Sequence, residues 1–153
     1  MLVFDTSAYI NGRRHHLPIE TFPSVWWLVS DAMEDGRVIG PRKVLAELSA
    51  RDDDIYAWAR EREGAFLEPT EEVQGEAGFI AAQLPESHTR GEADPWVIAE
   101  AKVRSMTVVT YEGQTFAGVP TRRWSSSMPG MCRELGVKVC TLPEALAMLG
   151  GSF

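Results

Sequence analysis

Short apolar runs, each too brief to be a helix, alternate along this chain with stretches whose apolar residues recur every three or four positions. That alternation points to parallel strands joined by crossover helices, because parallel neighbours need a long connection and its helix must cover a sheet face. The run LVF places a first strand over residues 2–5 and hands over at Asp5, Thr6 and Ser7 to a helix. Helical spacing follows over 23–35, where Val25, Leu28, Val29 and Ala32 share a face and Gly36 is the stop. Val38 and Ile39 make too short a run to assign, and Gly40-Pro41 opens a helix over 42–50 with Val44, Leu45 and Leu48 in one stripe. Further helices are expected over 53–63 and over 70–84, the latter ended by Pro85.

Residues 86–93 read as a polar loop, after which Asp94 suits the N-cap and Pro95 the first position of the helix PWVIAEAKVRS. MTVVT, residues 106–110, is β-branched and reads as a strand. A long irregular loop follows over 111–130, then a last strand from Val137 to Cys140 and a last helix over 142–149. The expected architecture is a helix-rich α/β domain, one unit over residues 1–153, with helices on both faces of the sheet.

At 153 residues, 44% hydrophobic and 24% charged, the composition is that of an ordinary globular domain. No apolar run reaches the roughly 18 residues of a membrane span, and the opening residues lack the basic start of a secretory signal. The expectation is a cytoplasmic protein with no membrane segment. Cys132 and Cys140, with His15, His16 and His88, show no zinc-knuckle spacing and read as reduced thiols. A net charge of −7, taken alone, argues against a generic nucleic-acid binder, whose footprint is a basic surface. It leaves room for local basic patches at Arg13, Arg14, His15 and His16, and at Arg122 and Arg123, each of which also reads as a solvated loop.

Four acids stand out. Asp5 ends the first strand, Glu47 edges the 42–50 helix stripe, Asp94 precedes Pro95, and Glu112 lies two residues beyond the strand MTVVT. Each has a plain structural explanation: a turn or cap for Asp5 and Asp94, a water-facing edge for Glu47, and an exposed loop for Glu112. In a doubly wound sheet, however, strand ends and helix starts gather in one crevice. Acids crowded there repel one another unless a cation neutralises them, and magnesium or manganese suits oxygen ligands. Such an ion can lower the pKa of a bound water and stabilise in-line displacement at a phosphodiester. Thr6, Ser7 and Thr110 supply hydroxyls that can orient the first acid.

The ordered set VFDTSAYI, VLAEL, EADPWVIAEAK and VVTYEG, closed by GVKVCTLPEAL, resembles the PIN-domain nucleases, including the VapC-type toxins of bacterial toxin–antitoxin pairs. The resemblance runs through the whole chain. It implies a PIN-like three-layer α/β/α fold with a central parallel sheet of about four or five strands. It also implies a divalent-metal-dependent endoribonuclease that leaves 5′-phosphate and 3′-hydroxyl ends. Asp5, Glu47 and Asp94 then match the metal ligands, and the fourth acidic position falls at Glu112, where many relatives carry aspartate. Thr110 matches the hydroxyl that supports the first aspartate, and Thr6 and Ser7 match the hydroxyl residues after it. A cognate antitoxin and a homodimer are implied in the same way. Two features depart from the shorter toxins: the segment NGRRHHLPIETFPSVWWLV and the long 111–130 loop.

Arg13, Arg14, Arg122 and Arg123 are the candidates for RNA phosphate contacts, and Trp124 either stacks on an unpaired base or anchors its loop. Trp26, Trp27, Trp58 and Trp96 read as core or interface residues, and FPSVWWLV as a partner surface or core. The competing reading is a PIN fold that binds or scaffolds without hydrolysis. A haloacid-dehalogenase phosphatase is excluded by Ser7, which stands where that chemistry needs a second aspartate. Zinc-hydrolase and P-loop readings fail for want of HExxH and GxxxxGK[ST].

Overall fold

The computed structural model describes residues 1–84, 93–111 and 128–150. Five parallel strands form the centre, in the order β3-β2-β1-β4-β5. They are β1 (Leu2–Phe4), β2 (Val38–Pro41), β3 (Phe66–Leu67), β4 (Thr107–Thr110) and β5 (Val139–Thr141). Eight helices surround them among the described residues: α1 (Thr6–Asn11), α2 (Pro23–Glu34), α3 (Arg42–Arg51), α4 (Asp53–Arg60), α5 (Glu71–Gln83), α6 (Asp94–Arg104), α7 (Met128–Glu134) and α8 (Leu142–Met148). The chain runs outward from β1 to β3 through α1–α4, then back to β4 and β5 by way of α5–α7, and the right-handed crossover usual for parallel strands puts the two sets on opposite faces. The packing agrees: α3 touches α1 and α4, α2 touches α8, and α5 lies along α6.

The central strands are buried along their length, as a parallel sheet covered on both faces requires. Val3, Phe4, Val108 and Val109 are all closed to solvent, and Trp26 is the largest fully buried side chain. Local signals set the helix ends. Asp52 and Thr70 accept the Ile55 and Val73 N–H groups as N-caps of α4 and α5, and Thr141 with Glu144 closes a capping box on α8. Gly36, at φ 81°, takes the left-handed position that stops α2, as its place in the sequence leads one to expect.

The structure departs from the sequence reading at several boundaries. Val38–Pro41 is a strand, so Pro41 ends β2 and is the N-cap of α3 rather than a first-turn residue. Phe66–Leu67 is a two-residue strand that no periodicity can show. The last strand is displaced to Val139–Thr141. Met128, Pro129 and Gly130, assigned to the loop, are buried in the first turn of α7. Residues 112–127 of that loop and residues 85–92 lie outside the described residues. Gly12–His16, taken as a loop or basic patch, instead continues α1 as a wide π-helical turn. No described helix is long and apolar enough to cross a membrane.

Candidate active site

Strand order reverses direction between β1 and β4, the crevice position at which open α/β sheets bind ligands. Asp5 follows β1 at that point and Thr110 ends β4. Asp5 is 2% exposed, and its Oδ1 accepts the Ala8 N–H at 2.8 Å, capping α1. The Ser7 hydroxyl donates to the same oxygen at 2.7 Å. Ser7 has one proton to give and gives it to Asp5, so in its 3.0 Å contact with Thr110 the threonine is the donor. Ser7 Oγ also accepts the Tyr111 N–H at 3.0 Å. One serine thus fastens the end of β4 to the first acid.

Glu47 reaches the same place from α3. The Thr6 hydroxyl donates to its Oε2 at 2.5 Å, and the Ala93 N–H donates to its Oε1 at 2.9 Å. Ala93 is helical and is the N-cap of α6, which corrects the expectation that Asp94 caps that helix: Asp94 is its first residue and Pro95 its second. The physical reason lies in Glu47. The N–H of the cap residue itself is accepted by a carboxylate from another helix, and Pro95 at the second position has no N–H to satisfy. These two bonds bring Thr6, Glu47 and the Asp94 end of α6 together with Asp5.

The donors are carboxylate and hydroxyl oxygens, the chemistry that suits a hard cation such as magnesium or manganese. A carboxylate offers about four lone-pair sites, so the bonds from Thr6 and Ala93 leave acceptor capacity at both Glu47 oxygens. Among the described residues, no three His, Cys, Asp or Glu side chains are drawn into one metal-holding group. Glu112, the fourth acid expected from sequence, lies outside the described residues, as do Arg122, Arg123, Trp124 and His88.

The remaining basic candidates are committed elsewhere. The Arg13 guanidinium lies over the rings of Trp26 at 5.3 Å and Trp58 at 4.7 Å. Burial there pulls its pKa down from the ordinary arginine value. Arg14 pairs with Asp52 at 2.6 Å. Burial raises the pKa of Asp52, but the Ile55 N–H and Arg14 together outweigh it and hold the carboxyl below its usual range. A cleft of 680 Å³ beside this pair is lined by Arg14, Glu20, Arg51 and Asp54, and by none of Asp5, Glu47, Asp94 or Thr110.

Two contacts at the strand-end site escape sequence reasoning. Lys43, one helical turn before Glu47 on α3, holds its ammonium 5.6 Å from the centre of the Trp96 ring on α6. The i, i+4 spacing from Lys43 to Glu47 was available as a signal; the cross-helix partner was not. His16 stacks on Tyr111, beside Ser7 and Thr110. Of the tryptophans, Trp26 is core, Trp58 and Trp96 are partly buried against it, and Trp27 is 65% exposed.

No curated protein matches the chain in sequence. In structure it is similar to FitAcB from Neisseria gonorrhoeae, with a TM-score of 0.53 and 23% identity over 93% of this chain and 98% of that one. At that identity the likeness speaks for the fold alone, and the fold is PIN-like. A family described as "Domain of unknown function (DUF4411)" matches residues 2–153, and the chain belongs to that family.

Proposed function

We propose that the chain is a single PIN-like domain acting as a divalent-metal-dependent endoribonuclease, the toxin of a toxin–antitoxin pair. The observation that carries this reading is the pair of bonds from Thr6 and Ala93 to Glu47, which join three acid-bearing elements at the switch point of the sheet. Asp5, Glu47 and Asp94 would hold magnesium or manganese, with Glu112 as a fourth ligand. The ion, when bound, supplies an activated water and neutralises charge on the phosphate. Ser7 orients Asp5 by donating to it, and Thr110 holds Ser7 in place. Thr6 orients Glu47.

In an acidic protein the RNA backbone needs local cations. Lys43 stands one turn from Glu47 and is exposed, so it serves as a phosphate contact, and Arg122 and Arg123 remain the sequence's further candidates. Arg13 braces the π-helical turn through Trp26 and Trp58. The antitoxin and the homodimer follow from the sequence resemblance, and the cytoplasmic setting from the want of a membrane run or a secretory start in the sequence. A PIN fold that binds without cutting is the second reading, favoured by the absence of a closed three-acid group among the described residues.

The test is cleavage of a mixed RNA pool by purified protein in magnesium or manganese, beside Asp5→Asn and an EDTA control. Metal-dependent cutting that vanishes in the variant supports the nuclease. Absence of both cutting and metal binding overturns it in favour of the binding module.

A further inference from the structure

The Gly12–His16 segment is wound as a π-helical turn, a rare geometry found mostly as single turns within α-helices and frequently at functional sites. It prolongs α1, the helix that leaves the Asp5 end of β1. Gly12 makes the passage possible: a Cβ there would stand 2.9 Å from Leu142 Cδ2 and 3.2 Å from two atoms of the Trp26 ring. The turn ends at His16, whose ring lies on that of Tyr111 with centroids 4.6 Å apart and planes inclined by 14°.

Tyr111 is 8% exposed and follows Thr110 directly. Its N–H donates to Ser7 Oγ, and Ser7 in turn donates to Asp5. The ring pair is therefore two hydrogen bonds from the first acid of the site. His16, by contrast, is exposed. An imidazole held flat against a buried ring at a solvent-facing position has already met the ordering cost of presenting an aromatic face. Aromatic faces beside a phosphate path are what single-stranded nucleic acids stack on.

We infer that His16, backed by Tyr111, is the platform on which an unpaired base of the RNA stacks while the neighbouring phosphodiester lies at Asp5. The inference rests on the nuclease reading and adds to it a positioning residue for the substrate. The experiment measures binding in EDTA, where metal-dependent cutting does not run, of a fluorescein-labelled single-stranded oligouridylate and of the same strand with abasic riboses. His16→Ala is expected to weaken binding of the intact strand about tenfold and to leave the abasic strand unchanged. His16→Phe, which keeps a ring, is expected to stay within about twofold of the wild type, and urea midpoints confirm that both variants fold.

Equal affinity of wild type and His16→Ala for the intact strand overturns the platform, as does a loss in His16→Phe as large as in His16→Ala. A wild-type protein that cuts RNA in magnesium yet holds the intact and abasic strands alike overturns the platform and leaves the nuclease standing. A wild-type protein that neither binds nor cuts overturns both.

Discussion

Thr6 and Glu47, on helices separated in sequence by all of α2 and β2, share a hydrogen bond of 2.5 Å beside the first acid of the site. Thr6→Val keeps the shape and removes the donor. Bonds to charged groups are worth about 1.5–3 kcal/mol, less where water can step in, and Glu47 is only partly buried. Thr6→Val is therefore expected to lower the unfolding free energy by about 1 kcal/mol in urea titrations, with Thr6→Ser restoring most of it. A Thr6→Val protein as stable as wild type would show the bond to be idle.

Asp5 caps α1 and, on the proposed reading, also holds the metal, and two substitutions separate those roles. Asparagine caps as well as aspartate, whereas alanine costs about 1 kcal/mol. Asp5→Asn is expected to keep its thermal midpoint and lose cleavage. Asp5→Ala is expected to lose both. Residual cutting by Asp5→Asn at the wild-type rate contradicts the assignment of Asp5 as a metal ligand.

Those bonds also show where the sequence was readable. Asp5, Thr6, Ser7 and Thr110 were legible because a strand end is a local event, marked by an apolar run that stops. The cap of α6 was not, since Ala93 takes its acceptor from Glu47, 46 positions away. β3 escaped because two residues carry no period. The partners of Arg13 and His16 escaped because a run of basic residues reads the same whether it faces water or lies across aromatic rings.

The Tyr9 hydroxyl is buried without a hydrogen-bond partner among the described residues. Burial, aided by the charge of Asp5, holds its ionisation well above the ordinary tyrosine range. In the unfolded chain a tyrosine ionises near pH 10, so the folded state alone keeps the proton above that pH. Stability from this group is full below pH 10 and falls as pH rises past it, by about 1.4 kcal/mol per unit. Tyr9→Phe is expected to lose little at pH 8 and to show a shallower alkaline decline, with Tyr111, raised by its own burial, left to contribute. A loss above about 1 kcal/mol at pH 8 means that the hydroxyl has a partner.

Lys43 is exposed and held over Trp96 beside Glu47. As a phosphate contact it releases one counterion's worth of salt dependence. Lys43→Ala is expected to weaken RNA binding across sequences and to reduce the slope of log affinity against log salt by about 1. An unchanged slope removes Lys43 from the backbone path.

The position of β1 in the middle of the sheet has a consequence for how the chain is made. Its partner β2 follows within a few dozen residues, but its other partner, β4, lies about a hundred residues downstream. At a synthesis rate of roughly 5–20 residues per second, the central strand leaves the ribosome several seconds before its second edge can be covered. Only then can Thr110 reach Ser7, so the Asp5 end of the sheet is among the last parts to assemble. A nascent chain interrupted before β4 carries Asp5, Glu47 and Asp94 but lacks the Thr110 hydroxyl that meets Ser7.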